Sequence, residues 1–258
     1  MAVQYYTTQL SAGLGLKDET KSLFDLYEPA ITVQIMYELA LNAGTFPNIT
    51  ARRLRNIIAE CFFPRYMREK DVASHIKTLI PKLTSLELSQ LFYLYTAKAN
   101  LILADFVKQV YWQKYASGYP TIDVDDAKSF VEAALHDGKM QKTWSDTTIK
   151  KVSSYLLGCL VDYGFLSVEN RNERRLTPPR LSDKLAVYLA YDLHFAGLGD
   201  NAVIKHTHWQ LFGLSPDDVR EEMKNLALNR HWIIQAAGDV VQISWTYKNM
   251  EDVLSVIA

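Results

Sequence analysis

The most regular hydrophobic pattern in the chain lies between Trp144 and Leu176. Ile149, Val152, Leu156, Cys159, Leu160 and Tyr163 recur at the three-and-four spacing of one buried stripe, which predicts an amphipathic helix. Ser145 is placed to cap that helix and Asp146 to favour its positive end, while Trp144 and Ile149 sit where a hydrophobic staple would fix the entry angle. Gly164 is the expected stop. Phe165 to Val168 and Arg174 to Leu176 then read as two short strands around the polar turn Glu169 to Glu173. The outer face of the predicted helix carries Thr147, Lys150, Lys151, Ser154 and Gly158, which pair positive charge with side chains small enough to admit a phosphate strand. Arg171, Arg174 and Arg175 fall on or beside the hairpin. Long helix, glycine stop and arginine-bearing hairpin are the layout of a DNA-reading winged helix. A basic outer face on a helix is by default only a solvated face, so recurrence elsewhere in the chain decides how much this pattern means.

The same punctuation predicts helices throughout. A first pair runs from about Asp18 to Tyr27 and Thr32 to Asn42, and a turn over Ala43 to Ile49 leads to Thr50 as an N-cap. The helix opened there buries Leu54, Ile57, Ile58 and Cys61, which turns Arg52, Arg55 and Asn56 outward with Arg53 at the flank. Helix, glycine-containing turn and a helix with arginines in its first turns is a helix-turn-helix layout, although this turn is longer than the compact motif allows. Arginines that merely solvate a bundle helix give the same pattern. Further helices are expected over Val72 to Leu79, over Ser85 to Lys114 with a break at Ala99-Asn100, and over Val124 to His136. Tyr115 to Asp123, with Gly118 and Pro120, is the expected boundary, and Pro178-Pro179 reads as a rigid linker. Helices over Asp183 to Phe195 and Pro216 to Asn229 precede a second hairpin, Trp232 to Ala237 and Val240 to Trp245 around Gly238-Asp239. That second hairpin contains no lysine or arginine, so it is suited to packing or protein contact. The expected fold is mainly α, divided as a helical domain over 1–118, a winged-helix-like domain over 119–180 and a C-terminal helical and hairpin module over 181–258.

Composition narrows the picture. A hydrophobic content of 48% with 12% aromatics belongs to a folded chain, and 258 residues suffice for more than one core. The formal net charge of −1 means that any attraction to a polyanion must come from local clustering. Such clusters exist. Ala51 to Lys70 holds six basic residues against two acidic ones, and Arg171 to Lys184 holds five against two. The two cysteines, Cys61 and Cys159, both lie on apolar stripes and read as small buried hydrophobes, which fits a reducing, cytoplasmic setting. The beginning of the chain shows no basic start followed by an apolar run, so no secretory signal is expected. The apolar stretch Leu91 to Val110 is interrupted by Lys98, Asn100, Asp105 and Lys108 and does not read as a membrane span.

No phosphate loop, dinucleotide-binding turn, nucleophile elbow or paired CxxC occurs. Asp217 with Glu222 and Lys224 imitates a metal-dependent nuclease signature, but residues five apart on one helix point about 140° apart and cannot share a metal. Ser215, Pro216 and Asp217 are better read as N-cap, first-turn proline and dipole-favourable acid. His206 and His208, with His194, Asp192 and Asp200 nearby, lack a recognised metal-ligand spacing. No cofactor, metal or catalytic residue is expected.

The segments Tyr6-Thr7-Thr8, Leu14-Gly15-Leu16, Leu94 to Asn100, Ala104 to Val107, Asp192 to Phe195, Gly197 to Asp200 and Ala237 to Val241 resemble the BrxA family of bacterial BREX phage-exclusion systems. The resemblance spans about Tyr5 to Ala258. It implies a non-enzymatic, DNA-binding component that works beside a methyltransferase and other defence subunits. No catalytic residue carries over from it, so the contact residues rest on helix faces: Arg52, Arg53, Arg55, Asn56, Lys150, Lys151, Ser154, Arg171, Arg174 and Arg175 are expected to meet double-stranded DNA. A protein scaffold that docks other BREX subunits is the alternative, favoured for the C-terminal module by its apolar hairpin without lysine or arginine.

Overall fold

Side-chain caps explain where most of the helices begin. In the computed structural model, which describes residues 5–170, 173–237 and 240–257, a Ser, Thr, Asp or Asn oxygen accepts the N3 backbone N–H of helix after helix. Thr32 caps Val33–Asn42 and Thr50 caps Ala51–Asn56. Asp123 caps Val124–His136, Ser145 caps Asp146–Asp162, Ser182 caps Asp183–Phe195, and Ser215 caps Pro216–Ala227. The protein is mainly helical, with a few short antiparallel strands. In chain order the helices are α1 (Lys17–Asp25), α2 (Val33–Asn42), α3 (Ala51–Asn56), α4 (Phe63–Tyr66), α5 (Val72–Leu79), α6 (Ser85–Ala99), α7 (Leu101–Phe106) and α8 (Trp112–Ala116). There follow α9 (Val124–His136), α10 (Asp146–Asp162), α11 (Asp183–Phe195), α12 (Asp200–Ile204), α13 (Pro216–Ala227) and α14 (Met250–Val256). The strands are β1 (Thr121–Asp123), β2 (Leu166–Val168), β3 (Glu173–Leu176), β4 (Trp232–Ala237) and β5 (Val240–Trp245).

The chain divides into two compact units, one of residues 1–77 with 92–179 and one of residues 78–91 with 180–258. In the first, π-helical stretches Ile57–Phe62 and Val107–Tyr111 join α3 to α4 and α7 to α8, and Asn100 separates α6 from α7. Phe24, Phe62, Tyr66 and Phe92 make an aromatic nucleus with centroid separations of 4.9 to 6.0 Å. Thr121–Asp123, part of the boundary stretch in the sequence, forms a strand. It pairs with β3, which also pairs with β2, giving a three-stranded antiparallel sheet in the order β1-β3-β2. The α10 helix buries Ile149, Val152, Leu156, Cys159 and Leu160, and Gly164 ends this segment at φ +81°, a conformation that a side chain disfavours.

In the second unit β4 and β5 pair from Trp232↔Trp245 to Ala237↔Val240. The outer edge of β5 is closed by side chains from the start of α12. Asp200 accepts from the Ile243 backbone N–H at 2.8 Å and from Trp245 Nε1 at 3.1 Å, and Asn201 accepts from Val241 N–H at 3.1 Å. Tyr191 knits the core by donating to His231 O and accepting from Thr246 N–H at 3.1 Å.

Two histidines make this unit sensitive to acid. His194 stacks on Trp245 at 4.2 Å, and burial holds both His194 and His231 below the ordinary value of 6.5, against the opposing pull of Asp200 and Asp183 respectively. A histidine lowered in the folded state binds its proton better when unfolded. The stability it contributes is therefore complete above about pH 6.5 and is lost as pH falls below that value. The urea midpoint followed by tryptophan fluorescence should decrease from pH 7.5 to pH 5.5, and an increase over that interval would contradict the assignment.

Candidate nucleic-acid interface

The expected contact residues occupy separate places in the first unit. On α3, Arg52, Arg53 and Arg55 are exposed and Asn56 is half-buried, with Leu54 turned into the core. Arg55 and Asn56 follow Arg52 by three and four residues and share its face. Arg53 instead lines a groove of about 490 Å³ with Lys17 and three carboxylates, Asp18, Glu19 and Asp162. Its charge is thus offset by acids that are distant in the sequence.

On α10, Thr147, Lys150, Lys151 and Ser154 are exposed. Lys150 and Ser154 line a cleft of about 800 Å³ together with Leu157, Arg174 from β3, and Asp123, Val124 and Asp125 where β1 meets α9. Asp123 accepts from Asp126 N–H at 2.9 Å, so one of the two acids at the cleft is committed to capping a helix. Lys151 stands on the adjoining flank of α10. Gly158 does not offer the open backbone that its position on the outer face predicted. A Cβ there would lie 3.0 Å from Leu14 Cδ1, so a leucine already covers it.

The hairpin arginines part company because strand side chains alternate between faces. Arg174 turns with buried Leu176 toward α10 and the cleft, and its Nη1 donates to Asn170 O at 2.9 Å. Arg175 is exposed and bound through Nε to Glu169, whose carboxyl this bond holds below its usual range. Arg171 lies outside the described residues. The structure therefore brings together Lys150, Ser154 and Arg174 and leaves Arg175 paired elsewhere.

Of the six basic residues between Ala51 and Lys70, Arg65 is not a surface charge at all. It is only 5% exposed and donates to Gly13 O and Leu14 O at 2.9 Å and to Gly15 O at 3.4 Å. The same loop is held from α10, where Asp162 accepts Gly15 N–H at 2.8 Å, and by Tyr163, whose hydroxyl donates to Gly15 O at 2.9 Å. The loop after the start of the chain thus clamps α4 to the end of α10. A sequence signal existed, since Arg65 follows Cys61 by four residues and continues the stripe Leu54, Ile58, Cys61.

Neither cysteine is poised to react. Burial raises the Cys61 thiol and pushes Cys159 up to about 12, so both stay protonated at neutral pH. Among the described residues no group of three or more His, Cys, Asp or Glu side chains could hold a metal, and no helix is long and apolar enough to cross a membrane.

The BrxA family profile matches residues 4–192. The chain belongs to the BrxA family. The matched part contains α3, α10 and the three-stranded sheet, and it stops within α11. This BrxA-family chain also resembles the crystal structure of an uncharacterized protein from Magnetospirillum magneticum, with a TM-score of 0.63 and 14% identity over 81% of this chain and 98% of that one. That likeness concerns the fold. No curated protein matches the chain at a significant level.

Proposed function

We propose that this protein is the double-stranded DNA-binding component of a BREX phage-defence system, acting without a catalytic step of its own beside larger defence subunits. Membership of the BrxA family suggests the BREX setting. The observation that carries the DNA reading is the placement of Lys150, Ser154 and Arg174 on one cleft, with Lys151 beside it on the exposed face of a long helix. Strand, two helices and a hairpin, with the first strand pairing across the last, is the element order of a winged helix. In such a motif α10 would lie along a groove and β2-β3 would flank it. Arg52 and Arg55 on α3 supply a second cationic face. Twelve residues, about 18 Å of helix, separate Asp162, which shares a groove with Arg53, from Lys150 at the cleft. That spacing suits phosphates on one duplex more than a single base-reading contact, which argues for little sequence preference.

A gel-shift series on duplex DNA at several salt concentrations tests the reading, because each phosphate contact adds about one unit to the slope of log affinity against log salt. Arg52→Glu with Arg55→Glu should weaken binding and make the slope shallower by about two units. A folded double variant with unchanged affinity and slope would remove α3 from the interface, and wild-type protein that fails to bind at low salt would remove DNA altogether.

The second unit favours protein contact instead. Ile233 and Val240 are 65% and 64% exposed on a hairpin face that also carries Gln235, Gln242 and Ser244, and α13 presents Asp217, Asp218 and Glu221 to solvent. Asp217 and Glu221 are paired with Arg220 and Lys224 of the same helix, so this side of the unit, an uncharged sheet face beside a weakly acidic helix, offers a polyanion no net attraction. The scaffold role therefore belongs to this unit, with other BREX subunits as its partners.

A further inference from the structure

A cavity of about 90 Å³ opens where the end of α4 and the segment leading into α5 meet the last turns of α6. Arg65, Arg68, Glu69, Tyr95 and Lys98 line it, so three cations face one carboxylate. Lys98 Nζ lies 3.2 Å from Glu69 Oε2 and 4.8 Å from the centre of the Tyr95 ring, and its side chain is largely buried. Arg68 is exposed at the rim.

Arg65 gives the cavity its character. Three of the five N–H donors of its guanidinium go to the neutral carbonyls of Gly13, Leu14 and Gly15, while Nε has no hydrogen-bond partner among the described residues. No carboxylate among those residues pairs with it. Carbonyl dipoles solvate a guanidinium without cancelling its charge, and a charge taken out of water is costly until an anion approaches. With Lys98 already opposed by Glu69, the unbalanced charge on the cavity is that of Arg65 and Arg68.

We propose that this cavity is a binding site for a tetrahedral oxyanion of the phosphate type. Its volume admits a group of several heavy atoms but is far below the 300 to 1,000 Å³ or so of pockets that enclose larger ligands. Arg68 closes over the anion from the rim, and a guanidinium offers the paired donors that a phosphate oxygen edge accepts. The site is separate from the α3 surface, since Arg65 follows Arg52 by thirteen residues, on the order of 20 Å of helix. Inorganic phosphate and the phosphodiester of a bound nucleic acid present the same chemistry. Recognition of free phosphate does not depend on the DNA reading.

The test is titration of the full chain with sodium phosphate against sodium chloride at matched ionic strength, followed by calorimetry and by thermal shift. The expected result is saturable binding of phosphate that chloride does not reproduce, weakened tenfold or more in Arg68→Gln with Lys98→Gln and retained in Arg52→Gln with Arg55→Gln. Glu69→Gln should strengthen it severalfold. Arg68→Gln alone, on an exposed side chain, keeps the test available if the double variant does not fold. Phosphate that acts no differently from chloride, or binds unchanged in folded Arg68→Gln, overturns the proposal. Once binding is seen, DNA affinity separates the two sources: a salt slope about one unit shallower in Arg68→Gln marks a DNA phosphate as the occupant, and an unchanged slope marks a free anion.

Discussion

Replacing Lys150, Lys151 and Arg174 together by glutamine is expected to lower affinity for duplex DNA by on the order of a hundredfold at near-physiological salt. Each phosphate contact contributes about 0.9 to the salt slope, which at about 0.15 M salt corresponds to roughly fivefold in affinity, and three contacts multiply. The slope should become shallower by nearly three units in the same experiment. Stability should barely change, because the two lysines are exposed and surface truncations usually cost within about 0.5 kcal/mol each. Arg175→Gln provides the contrast. Arg175 is on the opposite face of β3 and already bound to Glu169, so its loss should cost much less affinity than that of Arg174. Equal effects of the two arginines would mean that strand alternation does not govern the interface, and an unaltered slope in the triple variant would remove α10 from it.

Arg65→Met is expected to lower the melting temperature by roughly 5 to 15 °C. Without the guanidinium, Gly13 O and Leu14 O lose their donor, at about 1–3 kcal/mol for each carbonyl left unsatisfied, while Gly15 O keeps the Tyr163 hydroxyl. Removing a buried charge returns part of that cost, leaving a net loss of about 2–4 kcal/mol, and each kcal/mol is worth about 2–4 °C in a chain of this size. Gly15→Ala attacks the same clamp from the other side, since its Cβ would lie 2.5 Å from Asp162 Cβ. The two losses should combine to less than their sum, as expected of groups that hold one loop. Calorimetry of both variants checks this, and an Arg65→Met transition within about 1 °C of the wild type would show that the loop is held by other means.

Periodicity made the local structure readable. The buried stripe of α10, the caps Thr50, Ser145 and Ser215, and the break at Asn100 each follow from rules that act within a few residues. The short strand β1 did not show. Thr121 to Asp123 is too brief for an alternation to register, and it becomes a strand only because β3 lies beside it. Arg65 was legible as a stripe position but was counted by its charge as surface, because burial of a cation requires acceptors that come from Gly13 to Gly15, fifty residues away.

The sequence by itself determined the mainly helical character, the caps at which several of the helices begin, the two local concentrations of basic residues and the resemblance that the BrxA family profile bears out. These depend on neighbours along the chain and on composition. Only the tertiary structure decided which charges stand together. It joined Arg174 to Lys150 and Ser154 while sending Arg175 to Glu169, set Arg53 among Asp18, Glu19 and Asp162, and buried Arg65 against a loop. Electrostatic surfaces are sums over groups close in space, and distance along the chain says little about them.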